Sequence, residues 1–567
     1  MIALGIVLVG LPFAIAIGRF LGTSRHIFLP DDLALIDLNV RGALRWQQQL
    51  GPYDRFGWNH PGPVYFYLLS IPARIFGAGA RADFVGATAI NAVAGMATVG
   101  VVGRRAGWRA ALWTASVVGV LALVLGSTSP GASTFSESAL GATVSPWNPD
   151  IVIFPLVLFG VLCAAACAGS ARHLLGAALV GTFAVQTNIA TLPVVAVLFV
   201  VATGAAAVAK LTRMRQDRHV PDAERSVGGD QARRRLMPAL CAVGILLLLL
   251  AWLPPILQEV NGHPGNMTLI WRFFREHHPP GTLGSGLWTI LAVDGVLLFG
   301  LPQEMTFVLG APHQHAWLVL WLVLIVGAGA VALGAVRRSS FAVGLGVASL
   351  LGIATAIEAA TRIVGPTVGY LVLWEIALPI VGIVGVGVGL FGVASTGSSA
   401  PSASAPVVTD GRVPAAWSTQ ARRLSAGLLA VLAITVSCAV AVEMADLPPL
   451  QRASDPSVAA AWTALAPHLA HVRGPVFVVD AGVSLPGIFT YFGVVDELAA
   501  HGYRPFVSRA WGTDVGWRYV SNGGEPLHVV LFTPTAAVTR MPGYVGHTEY
   551  ADIVIEQRDR VAGRPGH

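Results

Sequence analysis

The sequence predicts an α-helical, polytopic membrane protein that ends in a small α/β domain outside the bilayer, and three observations predict it. The 567 residues are 54% hydrophobic and only 12% charged, about half the charged share of soluble domains, and the mean hydropathy is +0.67. Apolar residues gather into runs near 20 residues long, the length needed to cross the hydrocarbon core. After the last of these runs, residues 444–567 return to an ordinary soluble composition.

Taken in order, residues 2–22 lack a basic n-region and a small-residue cleavage site, so they read as a retained first span rather than a signal peptide. Further spans are expected at 83–103, 108–127, 150–168, 173–190, 191–210, 237–254, 315–335, 339–358, 368–393 and 424–443. The runs 62–78 and 283–301 are ambiguous, and charge decides between their readings. With both treated as juxtamembrane, the basic loops 104–109, 210–236, 337–338 and 422–423 share one side, which the positive-inside rule makes the cytoplasm. About eleven spans follow, or up to thirteen if the ambiguous runs cross. The expected location is the plasma membrane, with the amino terminus cytoplasmic and the tail extracytoplasmic. Residues 1–443 form the membrane domain, 23–82 its first external loop, and the Ser/Ala/Pro/Gly-rich stretch 394–423 a disordered cytoplasmic linker. In the tail, PVFVVD (475–480) and LHVVLFT (527–533) read as strands flanking a helix over 485–503, a small α/β unit without a Gly-rich phosphate loop.

Several function classes drop out. The net charge of +6 comes from short basic clusters between apolar runs, so nucleic acid is not an expected partner; the lipid bilayer is. All four cysteines fall inside apolar runs, where cysteine behaves as a small buried residue. No internal repeat is evident, which counts against a transporter built from inverted halves.

The polar residues worth a functional reading gather on the external side. The segment PDDLALIDLNVRGALRWQQQLGPYDRFGWNHPGP (30–63) opens with Asp31 and Asp32 at the start of a helix whose Leu33, Ile36, Val40 and Leu44 suit an interface-lying face. Capping explains one of the two aspartates. Asp37 and Arg41, spaced i,i+4, are either a surface ion pair or substrate contacts. Tyr53, Arg55, Trp58, Asn59 and His60 combine aromatic faces with planar hydrogen-bonding groups, which is what a sugar needs; an interfacial aromatic belt is the competing reading. Beyond this loop, SPWNPD brings Asn148 and Asp150 to the start of a span, and residues 253–280 contribute Glu259, His263, Asn266, Arg272, Arg275, His277 and His278. Those histidines lack a fixed ligand spacing, so no metal and no other cofactor is assigned. Glu358 and Arg362 sit one turn apart at a span end, where the arginine either clamps a phosphate or pairs locally. Glu375 lies inside the next span, while Gln186 and Asn188 read as polar glue between helices.

The order of these features resembles the GT-C superfamily of membrane glycosyltransferases, which includes the protein O-mannosyltransferases and the lipid A aminoarabinose transferase. PDDLALIDLNVRGAL stands where those enzymes carry an acidic motif and first juxtamembrane helix. HPGPVYFYLLSIPARIFG stands where they carry a turn and second helix, and the span ending in Arg104 and Arg105 follows. The likeness is strongest over residues 1–105. The chain is also similar to a set of high-GC bacterial membrane proteins described as GT-C-like. It departs from the family pattern in having Asp32 rather than Glu, and a Pro-Gly-Pro turn preceded by His rather than Lys. The resemblance implies an inverting glycosyltransferase that takes a sugar from a polyprenyl-phosphate donor on the external face. The acceptor would be an envelope glycan, lipid or protein. Asp32 would act as general base, with Asp31 second, and Arg362, Arg55 and His60 would contact phosphate or sugar. The alternatives are a transporter or flippase, or a non-catalytic envelope-assembly protein.

Overall fold

The computed structural model describes residues 1–126, 140–217, 231–276, 279–295, 298, 315–365, 367–392, 415–472 and 474–557. Among these residues, ten helices are long and apolar enough to cross a membrane. They are α1 (Ile2–Leu21), α4 (Ala80–Ala106), α5 (Trp108–Gly126), the near-continuous α6 (Asn148–Ile151) and α7 (Ile153–Cys167), α9 (Leu192–Asp217), α10 (Gln231–Asn261), α13 (Ala316–Val336), α14 (Ser340–Ala360), α15 (Ala377–Phe391) and α16 (Ala415–Asp446). The run expected to span at 173–190 is a helix of 16 residues, α8 (Arg172–Thr187), about 24 Å long. It still runs between the two faces of the bundle. Next to its start, Arg105 at the end of α4 donates to the Ala168 carbonyl at 3.1 Å. At its end, Gln186 joins the Val64 amide and the Ala251 carbonyl, the latter at 3.0 Å.

Of the two ambiguous runs, the first turns back on one face and the second is described only in part. The first is α3 (Val64–Phe76), 13 residues long and so about 20 Å, too short to cross. It ends where Arg81 donates to the carbonyls of Phe76 and Thr23. The second begins with α12 (Leu283–Asp294), where the Gly281 amide donates to Thr361 at the end of α14. Trp288 packs edge-on against Trp317 at the start of α13, ring centroids 5.3 Å apart, so the chain enters and leaves this stretch at the same end of the bundle. The linker expected over 394–423 lies outside the described residues up to 414. Its last residues are helical instead, because α16 starts at Ala415 in a segment of good helix formers.

The tail is a five-stranded sheet with strand order β4-β3-β5-β7-β6: β3 (Pro475–Ala481), β4 (Arg504–Val507), β5 (Leu527–Phe532), β6 (Tyr544–His547) and β7 (Asp552–Gln557). The first three pair in parallel and the last two antiparallel. Helices α17 (Pro456–Leu469) and α18 (Leu485–Ala500) pack on it. Asp455 caps α17 by accepting from the Val458 amide at 2.8 Å, with Pro456 at the first helical position, where proline is favoured.

The helix α2 (Asp31–Leu44) is where the two parts meet, and it corrects the interface-lying reading. Ten of its fourteen residues are buried, because α3 and α4 cover one side and α18 of the tail covers the other. An amphipathic helix would leave a polar stripe in water. Here the polar positions that face the tail, Asp37 and Asn39, are buried as well.

Candidate active site

Two segments of the loop between α1 and α4 begin the site, and later parts of the chain complete its wall. Its floor starts at α2, whose first turn carries Asp31 and Asp32, a placement that suits the positive end of the helix dipole. Neither side chain caps the helix; Pro30 is the N-cap residue. Asp31 adopts φ +46°, a left-handed conformation that non-glycine residues hold at a cost and that clusters at functional sites. Asp32 Oδ2 instead accepts the Trp147 indole N–H at 2.7 Å and also bonds the Tyr53 hydroxyl. Burial pushes the Asp32 carboxyl above the ordinary carboxylate range, and those two donors pull it partly back.

Next comes a hairpin of β1 (Tyr53–Asp54) and β2 (Trp58–Asn59). Its three-residue loop closes on Gly57, φ +80°, with the Gly57 amide donating to Asp54 at 3.1 Å. That is a type I turn finished by a left-handed residue, for which glycine is the natural choice. Asp54 Oδ1 accepts from the Phe56 amide at 3.0 Å, and burial raises its pKa to about 6. Behind the hairpin, Gly51 and Gly62 let the backbone sit against Gln186; a Cβ at Gly51 would lie 2.7 Å from the Gln186 carbonyl.

A cavity of about 510 Å³ opens over these segments, within the size range of small-molecule sites. Asp31, Asp32, Tyr53, Asp54, Arg55, Trp58 and His60 line it, together with Trp147, Asn148, Asn188, Phe273, Arg362, Tyr370 and, from the tail, Phe489. Two guanidinium groups converge on the link after α14. Arg55 Nη2 donates to the Val364 carbonyl at 3.0 Å, and two residues earlier Arg362 reaches Glu358 Oε1 at 3.0 Å from both Nε and Nη2. The Glu358–Arg362 pair is mostly solvent-exposed, so it holds the arginine only weakly. Aromatic faces form much of the remaining wall: Trp147 against Tyr370 at 5.1 Å and Trp58 against Phe273 at 5.6 Å. The Trp58 indole N–H is buried and has no hydrogen-bond partner among the described residues.

The structure separates the sequence candidates. Asp31, Asp32, Tyr53, Arg55, Trp58, His60, Asn148 and Arg362 share the cavity wall, while Asp37, Arg41, Asn59 and Asn266 do not line it. Asp37 is fully buried and bonded to Arg41 at 2.6 and 2.7 Å. Arg41 also faces Asp496 of the tail at 3.6 Å, so this pair belongs to the junction of α2 and α18. Asn59 and Asn266 clamp backbone: the Asn59 amide donates to Asn266 Oδ1 at 2.8 Å, and Asn266 Nδ2 donates to the Asn59 carbonyl at 2.7 Å. This ties the hairpin to α11 (Asn266–Arg275). The start of α11 is in turn capped by Gln258 and Glu259 from the end of α10. His60 lines the cavity without a positive charge. Burial drops its pKa to about 3, and its Nδ1 accepts from the Ile189 amide at 3.1 Å, leaving the proton on Nε2. His277 and His278 lie outside the described residues.

Sequence reasoning passed over Asp54, Tyr370 and Phe489. The Asp-Arg of the hairpin turn was the available signal for Asp54; the other two come from segments with no motif. Among the described residues, no group of three or more His, Cys, Asp or Glu side chains could hold a metal ion.

No family model matches the chain, and no curated protein matches its sequence. Solved structures do. ArnT from Cupriavidus metallidurans, solved with undecaprenyl phosphate bound, superimposes with a TM-score of 0.50 at 14% identity over 99% of this chain and 98% of that one. Its apo form aligns at 0.49, with 14% identity and 97% of each chain covered. The apo oligosaccharyltransferase of Archaeoglobus fulgidus aligns at 0.33, with 14% identity over 88% of this chain and 64% of that one. The end-to-end superposition on ArnT, membrane helices and tail together, makes this chain a multi-pass membrane protein with the GT-C fold.

Proposed function

We propose that the chain is a membrane glycosyltransferase that moves a sugar from a polyprenyl-phosphate donor to an envelope glycan, lipid or protein acceptor. The observation that carries this reading is one cavity wall holding a half-buried carboxylate, Asp32, fixed by Trp147 and Tyr53, together with two arginines, Arg55 and Arg362. The bound undecaprenyl phosphate of ArnT supports a lipid-phosphate donor on this fold.

In the proposed step, Asp32 accepts the proton of the acceptor hydroxyl or amine as that atom attacks the anomeric carbon. The bond from that carbon to the phosphate oxygen breaks, and the polyprenyl phosphate leaves with the electron pair. A carboxyl raised by burial is the stronger base for this task. The negative charge that builds on the phosphate is met by the guanidiniums of Arg55 and Arg362. Direct attack with the phosphate leaving from the opposite face of the anomeric carbon inverts that centre. His60, being neutral, contributes a hydrogen bond from Nε2 and not a charge. This reading has the site on the external face and the amino terminus in the cytoplasm, supported by the basic clusters on the opposite links.

Radiolabelled polyprenyl-phosphate sugars, offered to the purified protein in detergent with envelope acceptors, test this. Transfer from at least one donor is expected, reduced about a hundredfold or more in Asp32→Asn. No transfer across the donor series, or full activity in Asp32→Asn and Asp31→Asn, would sink the reading.

A further inference from the structure

A strained and exposed tryptophan follows the helix that carries the site. Trp46, two residues past the end of α2, is 76% exposed and adopts φ +58°, a left-handed conformation that is costly for a bulky side chain. Two contacts hold it there. Its ring stacks on Tyr67 of α3, centroids 5.5 Å apart, and the Arg74 guanidinium lies 5.6 Å from the centre of the indole. Arg74 is itself steadied by donating from Nη2 to the Leu44 carbonyl at 2.9 Å. Arg45, beside the tryptophan, is exposed as well, and neither arginine forms an ion pair among the described residues.

Helix α3 shows what this group faces. Its first residue, Val64, is held at the end of α8, where its amide donates to Gln186 Oε1 at 3.4 Å. Its last, Phe76, is held beside the end of α1 and the start of α4 through Arg81. Both anchors lie at span ends on one face of the bundle, so the helix, about 20 Å long, runs along that face rather than through it. One side packs inward on α2, α4 and α8. The other carries Tyr67, Leu68, Ile71, Arg74 and Ile75, spaced as one helical stripe, with Leu68, Ile71 and Ile75 exposed by 37%, 56% and 68%. An apolar stripe this exposed suits hydrocarbon and not water, and the charges that border it are positive. Apolar residues beside tryptophan and arginine are the pattern of an interface-lying helix, the role the sequence suggested for α2.

We propose that this stripe, with Trp46, Arg45 and Arg74, is a lipid-docking surface: Leu68, Ile71 and Ile75 enter the acyl region, the indole sits at headgroup level, and the two guanidiniums bind the phosphates of anionic phospholipids. The surface stands whether or not the chain transfers sugar. Trp46 follows one end of α2, and Asp31 and Asp32 start the other, about 20 Å away. Docking therefore fixes the height and tilt of the site-bearing helix against the lipid surface.

The experiment uses the full-length protein in phosphatidylcholine vesicles that contain a minor fraction of brominated phosphatidylglycerol or, in parallel, of brominated phosphatidylcholine, with the bromine near the headgroup end of the acyl chains. Trp46 fluorescence is read as the difference between each protein and the same protein carrying Trp46→Phe. Quenching by both bromolipids is expected, about two- to threefold stronger with phosphatidylglycerol, together with little quenching by aqueous acrylamide. In Arg45→Gln/Arg74→Gln the excess with phosphatidylglycerol should vanish, and Arg45→Lys/Arg74→Lys should keep it. A Trp46 signal quenched by acrylamide and not by bromolipid overturns the proposal and leaves a water-facing platform, such as one for a glycan. A signal quenched by neither overturns it in favour of contact with a second copy of the chain. Equal quenching by the two bromolipids, or an excess that survives in Arg45→Gln/Arg74→Gln, rejects the phosphate contact. Loss of the excess in the lysine variant too rejects it as well, by assigning the effect to the bond between Arg74 and Leu44.

Discussion

At the scale of the residue, the chemistry of the site is decided by what surrounds each polar group. His60 illustrates it: the sequence offers an imidazole for a phosphate, and the structure gives that imidazole a buried position and a backbone donor on Nδ1. Its folded pKa, about 3, lies below the ordinary 6.5, so protons bind the unfolded chain more tightly. The stability it contributes is full above pH 6.5 and is lost as pH falls towards 3. The side chain's structural task is to accept from Ile189, and Asn places an oxygen near the same position. His60→Asn is therefore expected to keep Tm within a few degrees. His60→Ala orphans a buried N–H and costs about 1–3 kcal/mol, read as a lower Tm in detergent at pH 7.5. His60→Asn should also flatten the loss of Tm between pH 6 and 4; if both variants lose stability equally, the Ile189 bond is not what His60 provides. Such surroundings are invisible in a sequence. Asp31, Asp32, Tyr53, Arg55, Trp58 and His60 were legible as candidates because they crowd one polar loop between apolar runs. The deciding partners, Trp147 and Ile189, come from distant positions beyond that loop.

At the scale of the element, α2 carries the site and is itself held from two sides. Its i,i+4 spacing announced the Asp37–Arg41 pair, but not that the tail would bury it. Once α18 seals the pair, Arg41 is the cation facing Asp37 and Asp496 in a water-poor junction. Burial and the charge of Asp37 push Asp496 well above the usual carboxylate range, while Arg41 sits closer to Asp37, at 2.6 Å, than to Asp496. Removing one partner of a buried pair leaves an uncompensated charge and costs about 3–5 kcal/mol. Arg41→Ala is accordingly expected to lower Tm strongly and to expose the junction to limited proteolysis near residue 447, whereas a matched Asp37→Leu/Arg41→Met change should recover much of the loss. Unchanged proteolysis in Arg41→Ala would remove the pair from any role in docking the tail. The strands 475–481 and 527–532 and the helix between them were legible from period and composition. The short strands 504–507 and 544–547 were not, because four-residue edge elements carry too little pattern to separate from loop.

At the scale of the whole molecule, the arrangement of faces follows from alternation. Among the described residues, the short α8 completes a set of eleven helices that run between two faces, α3 returns to the face it leaves, and α12 and the start of α13 lie at the same end of the bundle. The hairpin, the cavity and the tail therefore share one face, and the links after α4 and α13 share the other. Those links carry Arg104, Arg105, Arg337 and Arg338, and the positive-inside rule predicts a cytoplasmic side for them. Apolar length alone left the count between eleven and thirteen; the basic clusters set the sides, and the packing of helix ends shows why neither ambiguous run needs to cross. Reporter fusions read this directly. A periplasm-active phosphatase is expected to be active when fused after residue 80 and after residue 480, and inactive after residues 105 and 338, with a cytoplasm-active reporter giving the opposite pattern. Activity after residue 105 with none after residue 480 would invert the molecule: the basic links would lie outside, and the cavity would open to the cytoplasm, where a donor on the outer leaflet could not reach Asp32.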